Sequence, residues 1–97
     1  MRHEPAVPHV ILYTKAGCHL CDDARSYLDD LSAEYAFLLD EIDIRRDDVL
    51  FERYRYRIPV IVIDGVEQAE GRIDREDLRE AFASKRTRYG RDMLPGS

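Results

Sequence analysis

The chain has 97 residues, two of them cysteine, with an apolar share of 44% and a formal net charge of −5. That length bounds a single domain near the small end for a core that needs no staple, and the apolar share excludes a disordered chain. The acidic balance argues against a general affinity for nucleic acid, and no apolar run approaches the roughly 20 residues that span a bilayer.

The expected unit is one domain over 1–97 with its core over about 9–84, a loose N-terminus and a basic C-terminal tail (Lys85, Arg86, Arg88, Arg91). Met1 to Val10 carries two prolines, two histidines and no apolar stretch, which does not fit a signal peptide. Two cysteines at close spacing are not the framework of a secreted disulfide scaffold; they read as a redox motif of a cytoplasmic protein, and the charged surface suggests a monomer.

His9 to Thr14 reads as a first strand, its continuous apolar centre pointing to burial on both faces. The segment Tyr13-Thr14-Lys15-Ala16-Gly17-Cys18-His19-Leu20-Cys21 joins that strand to an amphipathic helix over His19–Leu31. Leu20, Ala24, Tyr27, Leu28 and Leu31 recur at helical spacing, with Cys21 on the same stripe and Cys18 at the helix entrance. The spacing therefore predicts an exposed first sulfur and a shielded second one. Unpaired N–H groups and the positive dipole end of a first turn favour a thiolate, lowering a cysteine pKa from its free value of about 8.5. With two residues between them, the second thiol can reach back to close a small disulfide, and Gly17 leaves the first sulfur open to approach.

Tyr35 to Ile44 follows as a second strand, parallel to the first through a right-handed crossover. Asp47 to Arg53 reads as a short helix and Val60 to Ile63 as a β-branched strand. Asp64-Gly65 supplies a two-residue hairpin turn into a short polar edge strand, Val66 to Ala69. Asp74 caps a final helix whose buried face is Leu78, Ala81 and Phe82, with Ile73 packing on Leu78 as a staple; the pattern dissolves after about Ser84. The acidic residues of the first helix (Asp22, Asp23, Asp29, Asp30) read as a solvated face.

This order of elements resembles the thioredoxin superfamily, and the lead-in Lys15-Ala16-Gly17-Cys18 resembles glutaredoxins. In particular it is similar to the small bacterial glutaredoxin-like proteins, whose pattern runs L-Y-T-K-x-G-C-x-L-C, R-I-P-V, D-G and G-R-I-D. Those segments are here Leu12 to Cys21, Arg57 to Val60, Asp64-Gly65 and Gly71 to Asp74. The resemblance implies an α/β, thioredoxin-like fold of glutaredoxin type, a four-stranded mixed sheet flanked by three helices. It also implies a thiol-disulfide oxidoreductase, with Cys18 as nucleophile and Cys21 as resolving thiol. Pro59 matches the family's cis-proline, and the Ile58 backbone would pair with an extended substrate; the competing reading is a trans proline opening an edge strand. Lys15 stands where glutaredoxins keep a lysine that steadies the thiolate and a glutathione carboxylate, and Arg57 has a similar electrostatic role; both also fit solvated surface cations. His19 replaces the proline of many relatives and either tunes Cys18 or is a plain surface histidine.

Gly71, Arg72, Ile73 and Asp74 correspond to the family's glutathione-holding turn, from which this chain departs: Glu70 replaces the first glycine and the hydroxyl residue is missing. The implied partners are a disulfide-containing protein or small thiol, with glutathione, another thiol reductant or thioredoxin reductase as electron source and no bound cofactor. Two other readings stand beside the enzyme. In one, Cys18 of two copies holds an iron–sulfur cluster or zinc, although two thiols with His19 between them make an awkward zinc site. In the other, a non-catalytic adapter docks a partner through the arginines before Pro59.

Overall fold

The computed structural model describes residues 7–92, with side chains through 84. The chain runs β1 (His9–Thr14), α1 (His19–Leu31), β2 (Leu38–Asp43), a 3-10 turn at Ile44–Arg46, α2 (Asp48–Tyr54), β3 (Val60–Ile63), β4 (Val66–Glu70) and α3 (Arg75–Asp92). The strands form one mixed sheet in the order β2-β1-β3-β4, with β1 parallel to β2 and antiparallel to β3, and β3 antiparallel to β4. A four-stranded mixed sheet with three helices is the architecture expected from the sequence.

Alternation along the two central strands divides the core between the faces of this sheet. Val10 and Leu12 of β1, with Ile61 and Ile63 of β3, pack on one side against Ala24, Leu28 and Leu31 of α1 and Leu78 and Phe82 of α3. Ile11 and Tyr13, with Val60 and Val62, face the other side, where Ile44, Leu50, Phe51 and Tyr54 cover them. Burial on both faces explains why β1 and β3 read as unbroken apolar runs.

Local signals set the element ends. Asp47 caps α2, its side chain accepting from the N–H groups of Val49 (2.8 Å) and Leu50 (3.1 Å). Asp74 does the same for α3 with Glu76 (2.8 Å) and Asp77 (3.2 Å), and Ile73 and Leu78 are both buried in the core below it. In the hairpin, Asp64 (φ 50°) and Gly65 (φ 84°) both have positive φ, the conformation a primed two-residue turn demands.

The second strand and the last helix differ most from their expected bounds, while α2 and β4 shift by a single residue. The second strand begins at Leu38 rather than Tyr35. The Tyr35 N–H is still tied to the Leu31 carbonyl (2.9 Å), and the rings of Tyr35 and Phe37 pack on Phe82 instead of entering the ladder. It ends at Asp43, whose side chain accepts from the Arg45 N–H (2.9 Å) and turns the chain away. The last helix continues to Asp92, past Ser84, where the apolar stripe ends. Lysine and arginine are good helix formers, so helix outlasts the buried face. The loose N-terminus over residues 1–6, the end at Pro95-Gly96-Ser97 and the side chains of the basic tail lie outside the described residues. The α1 acids are in part paired, Asp22 with Arg25 and Asp30 with Arg75, both at 2.8 Å. Among the described residues no helix is long and apolar enough to cross a membrane.

Candidate active site

The C-terminal end of β1, the N-terminus of α1, the start of β3 and the end of β4 meet at one end of the sheet, because Tyr13 pairs with Val60 and Val60 with Glu70. Cys18 is the N-cap of α1, with extended backbone (φ −97°, ψ 109°), and its Sγ accepts from the Cys21 N–H at 3.1 Å. A sulfur in that position receives one of the unpaired donors of the first turn, which stabilises negative charge on it. Gly17 precedes it with φ 82° and open space where a Cβ would stand, so the chain enters the helix by a turn that only glycine adopts without strain. Cys18 and Cys21 are disulfide-bonded, their Cα atoms 5.2 Å apart. Cys18 is half-buried, whereas Cys21 is 1% exposed and continues the buried stripe of Ala24 and Leu28. The predicted asymmetry between the sulfurs is therefore present.

The family model described as Glutaredoxin-like domain (DUF836) matches residues 9–83. The chain belongs to this glutaredoxin-like family. An uncharacterized protein of Mycobacterium tuberculosis is 32% identical over 81 residues, covering 78% of this chain and 84% of its own. Among solved structures, a structural-genomics target protein from X. campestris superposes with a TM-score of 0.64 at 30% identity, over 77% of this chain and 96% of that one. A thioredoxin from Halobacterium salinarum gives a TM-score of 0.61 at 21% identity, over 79% and 73% of the two chains, which establishes the shared thioredoxin fold.

Around the glutaredoxin-like cysteine pair, Lys15 is half-buried in the turn after β1 and His19 is exposed as the first residue of α1. The Ile58–Pro59 peptide is cis, and Pro59 is fully buried immediately before β3. The N–H of Gly71 donates to the carbonyls of Pro59 (2.8 Å) and Arg57 (3.1 Å), which brings the turn of Gly71, Arg72, Ile73 and Asp74 beside the proline. Arg72 and Asp74 are exposed there, while Ile73 is buried and belongs to the core.

Arg57 is the residue whose surroundings the sequence does not reveal. Its guanidinium is held by Glu67 and by Glu70 (2.7 Å) of β4 and lies over the Tyr54 ring, 5.3 Å from its centroid. Tyr54 in turn stacks on Tyr13 (4.4 Å) and donates its hydroxyl to Glu67 (3.3 Å). A simple alternation would place Glu67 and Glu70 on opposite faces of β4. An irregularity in the ladder, where Val62 pairs with Glu67 but Ile61 with Ala69, sets Gln68 aside and returns both carboxylates to the face of Val60 and Val62. Glu70 is thus the partner of Arg57 in this chain.

The hydrogen bond from Arg57 holds the Glu67 carboxyl below the ordinary value of 4.5. A carboxylate lowered on folding contributes stability that is complete above its unfolded pKa and disappears as pH falls through the folded value. The clamp should accordingly stay closed through neutral pH and open only in acid. A carboxyl NMR titration is expected to give Glu67 a midpoint under 4.5; a midpoint at or above it would mean that Arg57 does not hold this carboxylate in solution.

Proposed function

We propose that this protein is a dithiol–disulfide oxidoreductase that reduces protein or low-molecular-weight disulfides through Cys18 and Cys21. The observation that carries this reading is the position of the Cys18 sulfur, capping α1 and already within bonding reach of Cys21. In the proposed reaction the Cys18 thiolate attacks a substrate disulfide, forming a Cys18–substrate bond and releasing one substrate thiolate. The Cys21 thiolate then attacks Cys18 Sγ, closing the Cys18–Cys21 disulfide and releasing the second thiolate. Two electrons pass to the substrate, and an external thiol or dithiol reductant returns the pair to its reduced state. The bonded pair described above corresponds to the oxidised end of this cycle.

The substrate lies across the edge formed by Cys18, Pro59 and Gly71, with Lys15 and His19 flanking the sulfur. The Ile58 N–H donates to the Tyr54 carbonyl (3.1 Å), so backbone pairing of an extended substrate at Ile58 runs through its carbonyl. Two carboxylates occupy Arg57, so it is poorly placed to serve the carboxylates of glutathione. This favours a polypeptide partner, and a reductant of the thioredoxin reductase kind over glutathione. A reducing compartment, the cytoplasm, suits a Cys-x-x-Cys pair that must be kept cycling.

Oxidised protein incubated separately with glutathione and with a thioredoxin reductase system tests both parts, with free thiols counted over time. The expected result is faster release of thiols with the reductase system. Failure of both reductants to open the disulfide would overturn the oxidoreductase reading; faster reduction by glutathione would overturn only the assignment of the donor.

A further inference from the structure

Thr14 is 7% exposed, and its Oγ1 is the one buried side-chain N or O atom among the described residues without a hydrogen-bond partner. An unpartnered buried hydroxyl is costly, and one retained beside a reactive centre calls for a partner in another state of the molecule. Its position in the fold indicates that partner. Thr14 is the last residue of β1, on the same face as Val10 and Leu12, which pack against Ala24 and Leu28 of α1. Cys21 extends that α1 stripe by one turn toward the same end, and it is buried. The two residues therefore stand at the same end of the β1–α1 interface, Thr14 on the strand side and Cys21 on the helix side.

We propose that Thr14 is a positioning residue for the resolving thiol, its hydroxyl donating to the Cys21 sulfur once the disulfide is open. While Cys21 is bonded to Cys18 the Thr14 hydroxyl makes no hydrogen bond, and opening the disulfide frees the Cys21 side chain to turn toward it. Reduction adds two electrons and breaks the S–S bond, leaving Cys21 as a thiol or thiolate, and a thiolate is a strong acceptor. The hydroxyl thus penalises the oxidised pair and favours the ionised Cys21 that attacks the mixed disulfide. Of the other charged groups at this end, Asp43, beside Thr14 in register, is held by Arg45 (2.7 Å) and Asp22 by Arg25; His19 is exposed, and Lys15, next in sequence to Thr14, is the half-buried cation, present alike in every variant compared below.

The inference rests on the reading that this pair cycles between disulfide and dithiol, but its test needs no turnover. In a Cys18→Ser background, the thiolate absorbance of Cys21 is titrated with Thr14 intact and with Thr14→Val, Thr14→Ala and Thr14→Ser. The hydroxyl-free variants are expected to raise the Cys21 pKa by about one unit, and Thr14→Ser to leave it in place. With both cysteines present and equilibrated against a dithiothreitol buffer, the Thr14→Val disulfide should be about tenfold harder to reduce, roughly 30 mV. Alanine stands in should valine fail to fold. The proposal is overturned if the hydroxyl-free variants titrate like the parent, or if serine shifts the pKa as far as valine does.

Discussion

Cys18→Ser is expected to remove turnover of a small or protein disulfide by on the order of a thousandfold or more, since a hydroxyl at neutral pH cannot replace an ionised sulfur. Cys21→Ser should behave differently. Its Cys18 keeps the α1 N-cap position and remains able to make the first attack, so a Cys18–substrate mixed disulfide should accumulate and persist until an external thiol removes it. The contrast follows from geometry: Cys18 is half-buried at the α1 entrance, next to open space at Gly17, while Cys21 is buried against the core. Mass spectrometry of the two variants after incubation with a disulfide substrate separates the roles. Equal adducts on both would mean that the sulfurs are interchangeable, and unchanged turnover in both would remove the chemistry from this pair.

The largest expected loss of stability is at Phe82. This side chain is 1% exposed, lies against Phe37 (4.9 Å between ring centroids) and Tyr35 (5.7 Å), and joins α3 to the α1 side of the sheet. Truncation to alanine removes most of a ring from a packed interior and should cost about 3–5 kcal/mol. Domains of this kind have about 5–15 kcal/mol in total, so Phe82→Ala should remove from about a fifth of that stability to all of it. Denaturant titration followed by circular dichroism reads this directly as a lowered midpoint. An unfolding free energy within a few tenths of a kcal/mol of the parent would mean that α3 is not seated by this ring. The effect also bears on the site, because the turn of Gly71 to Asp74 beside Pro59 leads straight into α3.

Features of the site that depend on neighbouring residues were legible from the chain alone. The cysteine spacing, the glycine before it and the apolar stripe of α1 placed one sulfur at the helix entrance and the other inside. The same holds for the caps at Asp47 and Asp74 and for the Asp64-Gly65 turn, each a hydrogen-bond or φ requirement met within two or three residues. The surroundings of Arg57 were not legible, because a single offset residue in β4 decides where Glu67 and Glu70 point. Nor was the state of the Thr14 hydroxyl, which reads in sequence as an ordinary strand-end threonine.

The amino-acid order by itself determined the glutaredoxin-like fold and the unequal pair of sulfurs. Periodicity, capping and turn conformation act over a few bonds and tolerate little ambiguity when four ordered segments agree. Tertiary structure alone decided which charges are spent inside the molecule and which buried group is left without a partner. Those outcomes turn on contacts between residues 10 or more positions apart, where a shift of one place in a strand reverses the face that a side chain occupies.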